Sequence, residues 1–174
     1  MLEFEYKGKI YARYNSKWCD KNYIVVPLYM QNELNKCYYD FVKNSCFNFA
    51  ELVDIGDEFK KGDSYNWAIE IYLLANEKAS KSEVSTVLPR ITSCYRKMNK
   101  PKMAIDIFMI AINRHGMEYF TPFLLTSVAG AYCDLKKTKE ARKCCQFACQ
   151  KNNGQTNEMI ENVLRRIETI EKNS

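Results

Sequence analysis

The sequence predicts a mainly α protein: an α-solenoid of three helix pairs, closed behind by a capping helix and in front by a small β-hairpin or β-meander. Three observations predict it. One frame of small and aromatic residues recurs three times at nearly constant spacing, turn formers fall at matching places between the frames, and the first fourteen residues alternate as paired strands do. At 174 residues the chain is long enough for an ordinary core, and no Pro/Gly/Ser-rich stretch divides it, so one cooperative unit is expected.

Residues 1–47 form the front cap. Leu2-Glu3-Phe4-Glu5 and Lys9-Ile10-Tyr11-Ala12-Arg13-Tyr14 read as a hairpin around a three-residue loop, Tyr6-Lys7-Gly8, with Gly8 left-handed. That register sets Phe4 opposite Ile10 and Leu2 opposite Ala12 on an apolar face, with Glu3, Glu5, Lys9, Tyr11 and Arg13 on the charged one. Tyr23-Ile24-Val25-Val26 is a third strand, ended by Pro27. Met30, Leu34, Cys37, Tyr38 and Phe41 then repeat at helical spacing.

The repeats occupy 48–150, as 48–80, 83–116 and 121–150. From Ala68 the matching alanine is Ala104, and from there Ala141. Nine residues before each stands an aromatic (Phe59, Tyr95, Tyr132), and seven after each another alanine (Ala75, Ala111, Ala148). Four after each come Tyr72, Phe108 and Cys145. Small residues on one helical face let two backbones approach while a ring fills the space beside them, so each frame specifies two packed helices. Lys60-Lys61-Gly62-Asp63-Ser64, Asn99-Lys100-Pro101 and Lys136-Lys137-Thr138 make the turn within each pair, with Ser64 and Thr138 as N-caps and Pro101 at a first helical position. Thr121-Pro122 opens the third pair, and Gly116 closes the helix before it.

Over about 48–150 these residues resemble the tetratricopeptide repeat family. Ile55-Gly56 leading to Phe59, Ile91-Thr92 to Tyr95 and Val128-Ala129 to Tyr132 match its first helix, and the alanine, aromatic, alanine set its second. Both intervals exceed the family length, implying longer turns between repeats, and Cys145 replaces the expected ring in the terminal repeat. The resemblance implies a concave groove lined by the first helix of each pair, holding a peptide or partner protein. Mapped here, its binding residues are Asp57, Lys60 and Lys61, then Ser93, Arg96 and Lys97, then Phe123 and Thr126. Family members that grip a C-terminal carboxylate use a lysine and an asparagine where this chain has Val53 and Asp57, so that ligand is not implied.

After Asn152-Asn153-Gly154, residues 155–172 carry Ile160, Val163, Leu164, Ile167 and Ile170 at helical spacing. This amphipathic helix caps the last repeat; the other use of its stripe is a homo-oligomer seam.

Composition excludes several classes. The opening residues hold two acids and no long apolar run, unlike a secretory or transit peptide, and no segment approaches a membrane span. A soluble, cytoplasmic protein is expected, with its eight cysteines reduced and used as small hydrophobes. No Cys-x-x-Cys occurs and there is one histidine, so neither metal nor cofactor is expected. His115, at a helix end, is the only base for a thiol nucleophile; isolated glycines cradle no phosphate; and no hydrolase or zinc-protease motif occurs. An interaction module, not an enzyme, is the reading, with no catalytic residues.

The alternative is a nucleic-acid adaptor. Seven of the twelve tyrosines lie in residues 1–48 beside Lys7, Lys9, Arg13, Lys17 and Lys21, and a basic edge runs through Lys60, Lys61, Arg96, Lys97, Lys100, Lys102, Lys136, Lys137 and Lys139. The front segment nevertheless holds seven basic and five acidic side chains, and the whole chain carries only +5. Protein is therefore the expected partner, rather than nucleic acid or membrane.

Overall fold

A computed structural model describes residues 2–173 as three strands and eight helices: mainly helical, with one small antiparallel sheet at the N-terminal end. The chain divides into two compact units, one ending at Lys78 and the other beginning at Ala79.

The first unit opens with β1 (Leu2–Tyr6), β2 (Lys9–Tyr14) and β3 (Lys17–Cys19), paired in the order β1-β2-β3. The β1–β2 loop has two residues, not three. Lys7 and Gly8 both take positive φ (51° and 73°), the mirror-image turn whose twist matches that of paired strands. The register is accordingly shifted by one: Phe4 faces Tyr11 and Leu2 faces Arg13. A one-residue shift turns every side chain over, so Tyr11 and Arg13 are buried while Ile10, expected inside, is exposed. A second tight turn at Asn15 and Ser16 (φ 44° and 67°) brings in Lys17–Cys19 as the third strand. Residues 23–26 are not that strand: Val25 makes only an isolated bridge to Cys19, and the Val26 amide donates to the Trp18 carbonyl at 3.1 Å.

Helix α1 (Leu28–Lys43) covers the inward face of the sheet. Phe4 meets Tyr38 edge-on with ring centroids 5.4 Å apart, and Trp18 donates its indole N–H to Asn35 Oδ1 at 2.7 Å. Arg13 shares that acceptor through Nη1 at 3.1 Å and lies 4.3 Å over the Phe59 ring. Only 3% exposed, this guanidinium is drawn down to about 10 by burial, against the pull of Glu58.

Helices α2 (Phe49–Lys61) and α3 (Tyr65–Lys78) pack on each other, and α3 also packs on α1. Asn48 and Glu51 close a reciprocal capping box at the start of α2. Gly56 permits the close approach of the pair, since a Cβ there would stand 2.4 Å from the buried Tyr72 ring.

The second unit contains α4 (Lys81–Lys97), α5 (Pro101–His115), α6 (Pro122–Asp134), α7 (Thr138–Lys151) and α8 (Glu158–Lys172). Helix α6 lies at its centre, packing on α4, α5, α7 and α8. Leu124, Leu125, Val128, Ala129 and Ala131 explain this position, because α6 is apolar almost all round. All six frame alanines are buried, as are Tyr72, Phe108 and Cys145.

The three turns inside the helix pairs share one geometry. Asp63, Asn99 and Lys136 are left-handed (φ 54°, 56° and 57°), and the amides of Ser64, Lys100 and Lys137 donate to the carbonyls of Phe59, Tyr95 and Tyr132 at 3.0, 2.8 and 2.9 Å. Each is a Schellman closure whose acceptor is the aromatic of the frame. Three residues separate the helices each time, which keeps ring and alanine at constant spacing.

Several finer expectations change. Thr138 is the first residue of α7 and not its cap, and the Ser64 hydroxyl turns to the Gly62 carbonyl at 3.3 Å. Only the second interval owes its extra length to the turn between pairs, at 116–121; the first owes it to α4, seventeen residues long. Of the stripe of α8, Ile160 and Ile167 are wholly buried as the helix packs on α6 and α7, while Val163, Leu164 and Ile170 are half-buried. Among the described residues no helix is long and apolar enough to cross a membrane.

Candidate functional site

The expected groove residues fall into both units. In the first, Asp57, Lys60 and Lys61 lie on the last two turns of α2 and line one shallow cleft with Leu2, Asp54, Ile55 and Glu58. Three carboxylates and two ammonium groups meet there, and part of that charge is already engaged. Lys61 stands 2.6 Å from Glu58, and Asp57 accepts a hydrogen bond from the Tyr72 hydroxyl at 2.5 Å. Asp57 thus also anchors the ring that packs against Gly56.

In the second unit, Ser93, Arg96 and Lys97 follow one another along the last turns of α4, while Phe123 and Thr126 lie at the start of α6. Phe123 is 51% exposed, a large ring left in solvent at a helix N-terminus. Thr126 is 5% exposed, and its hydroxyl donates to the carbonyls of Pro122 and Phe123 in its own helix. Its hydrogen-bonding capacity is used locally, so it belongs to the packing of α6 and not to a binding surface. Ser93 is half-buried and Lys97 exposed.

Arg96 is the most constrained of the set. Its Nε donates to Asp134 Oδ2 at 2.6 Å, and Arg166 of α8 donates Nη2 to the other oxygen of the same carboxylate, also at 2.6 Å. The guanidinium of Arg96 lies flat against Gly130, where a Cβ would stand 2.5 Å from Nη1. Three helices are therefore tied at one carboxylate. Burial works to raise the Asp134 pKa, but the hydrogen bonds from both arginines outweigh it and hold the group below its ordinary value.

Sequence reasoning missed Asp134 and Arg166, although a signal was present. Two residues beyond the frame aromatic stand Lys61, Lys97 and then Asp134, a reversal of charge in the third repeat beside Arg96. Arg166 carried no such mark, because it lies outside the repeat frame.

Among the described residues no disulfide joins any of the eight cysteines. Burial pushes Cys144 up to about 11 and Cys145 up to about 12, so both remain neutral, the state suited to small apolar packing residues. Among the described residues no cluster of three or more histidine, cysteine, aspartate or glutamate side chains is placed to hold a metal ion. In the front cap, the burial of Arg13 removes one of the five cations that the nucleic-acid reading uses. No known protein-family model matches the chain, and no curated protein matches it in sequence.

Proposed function

We propose that the chain is a protein-interaction module of the tetratricopeptide kind, acting in the reducing cytoplasm, in which a peptide or partner protein lies along the face of α4 and α6. The observation that carries this reading is the tie of α4, α6 and α8 at Asp134, at the end of a helix whose first turn leaves Phe123 in solvent, with Lys97 exposed next to Arg96 and Ser93 half-buried one turn before it. A face stiffened in this way loses little further freedom on binding, which favours recognition over chemistry. Phe123 is the natural anchor, since large rings at the centre of a contact carry a disproportionate share of affinity. Asp57, Lys60 and Lys61 enter as a separate patch on the first unit. Cysteines joined by no disulfide among the described residues suit the proposed compartment.

The test is affinity capture from the cell that makes the protein, with wild type compared against Phe123→Asp and Ser93→Arg. The expected outcome is one partner held by wild type and reduced at least about tenfold by each substitution, as for other buried interface anchors. A partner retained equally by all three proteins refutes the α4–α6 face.

A further inference from the structure

The two turns of the second unit that close the α4–α5 and α6–α7 pairs border one cleft, lined by residues Asn99 to Met103 from one side and by Asp134 and Leu135 from the other. Six lysines stand on these turns: Lys97, Lys100, Lys102, Lys136, Lys137 and Lys139. All six are exposed, and none is paired with a carboxylate among the described residues. The carboxylate in the cleft wall, Asp134, is already engaged by Arg96 and Arg166, so it neutralises none of them. The same lining contains the apolar side chains of Pro101, Leu135 and Met103, the last 45% exposed. Lys100 and Lys102 thus belong to the lining itself, the other four lysines flank it on the same turns, and the remaining lining supplies an aliphatic floor.

We propose that this turn edge is a second docking site, distinct from the α4–α6 face, for an acidic protein segment that seats one bulky aliphatic side chain in the Pro101–Met103–Leu135 floor. Unpaired lysines at this density draw in a polyanion and raise its association rate, and an aliphatic floor then selects what stays. A single-stranded nucleic acid would supply the charge, but neither turn carries an aromatic ring for its bases to stack on. An acidic peptide with interspersed leucines satisfies both halves of the site.

Fluorescence anisotropy of a labelled fifteen-residue peptide alternating glutamate with leucine, measured on the whole chain, tests this directly. A poly-uridylate of equal charge is the competitor. Saturable binding is expected that weakens as salt is raised, that drops about tenfold in Lys100→Glu/Lys136→Glu, and that drops several-fold in Met103→Ser. These side chains are solvent-exposed, and an unchanged circular dichroism melt verifies that each variant is folded. The proposal is overturned by no binding, by equal binding in the double reversal, or by an oligonucleotide that binds tighter than the peptide. Loss of the peptide in Phe123→Asp with retention in the lysine variants also overturns it, and assigns the peptide to the α4–α6 face.

Discussion

Asp134 shows at the scale of one residue how this chain uses charge. Its carboxylate serves two guanidiniums on two other helices, and the three side chains are only 22–42% exposed. Because its folded pKa lies below the unfolded value of 3.8, the interaction is fully present above 3.8 and is lost as the pH falls through the folded value. Asp134→Asn should therefore lower stability by about 1 kcal/mol at pH 7, solvent screening considered, with the gap to wild type closing as the pH falls below 3.8. Urea denaturation at several pH values measures it; a gap that does not depend on pH would show that packing, and not charge, is what the substitution disturbs. Arg96 was readable from its place in the repeat, but its partners were not, because a frame defined by packing says little about which helix supplies the counter-ion.

At the scale of one element, the recurrent turn sets a different kind of constraint. Its left-handed position is filled by Asp63 and Asn99, whose short polar side chains tolerate that conformation, and then by Lys136, which does so at greater cost. Lys136→Gly should stabilise the protein by roughly 1 kcal/mol, read as a rise in thermal midpoint; a fall would mean that the lysine side chain holds something the closure needs. Some helix ends were legible in the sequence, at Pro101, Gly116 and Thr121-Pro122, because capping is local and depends on a few named residues, whereas Thr138 and the Ser64 hydroxyl do not cap as expected. The hairpin was not so legible. Its register hangs on Lys7 taking positive φ beside Gly8, which shortens the expected three-residue loop to two. That single difference exchanged the expected inside and outside of β2, placing Arg13 over the Phe59 ring and Ile10 in solvent.

At the scale of the whole molecule, the chain divides where its sequence carries no obvious break. The division falls between Lys78, the last residue of α3, and Ala79, the first of the two residues that link it to α4, and Ser80 with Glu83 begins α4 as an ordinary capped helix, the Ser80 amide donating to Glu83 at 2.8 Å. Repetition was legible because packing writes itself at constant spacing, whereas a boundary between compact units is set by how many side chains meet across it, which no local pattern records. The cysteines turn this difference into a measurable one. Cys46 is exposed, Cys37 and Cys149 are half-buried, Cys19 is buried in the first unit, and Cys94, Cys133, Cys144 and Cys145 are buried in the second. Under a thiol-reactive probe, Cys46 should be modified first, and the four buried thiols of the second unit should follow slowly at one shared rate; a spread among those four would deny that unit a common core. Cys19 reports on the first unit by its own rate. The protein thus carries an internal stopwatch for its own opening, one hand in each half, readable by mass spectrometry without altering a single residue.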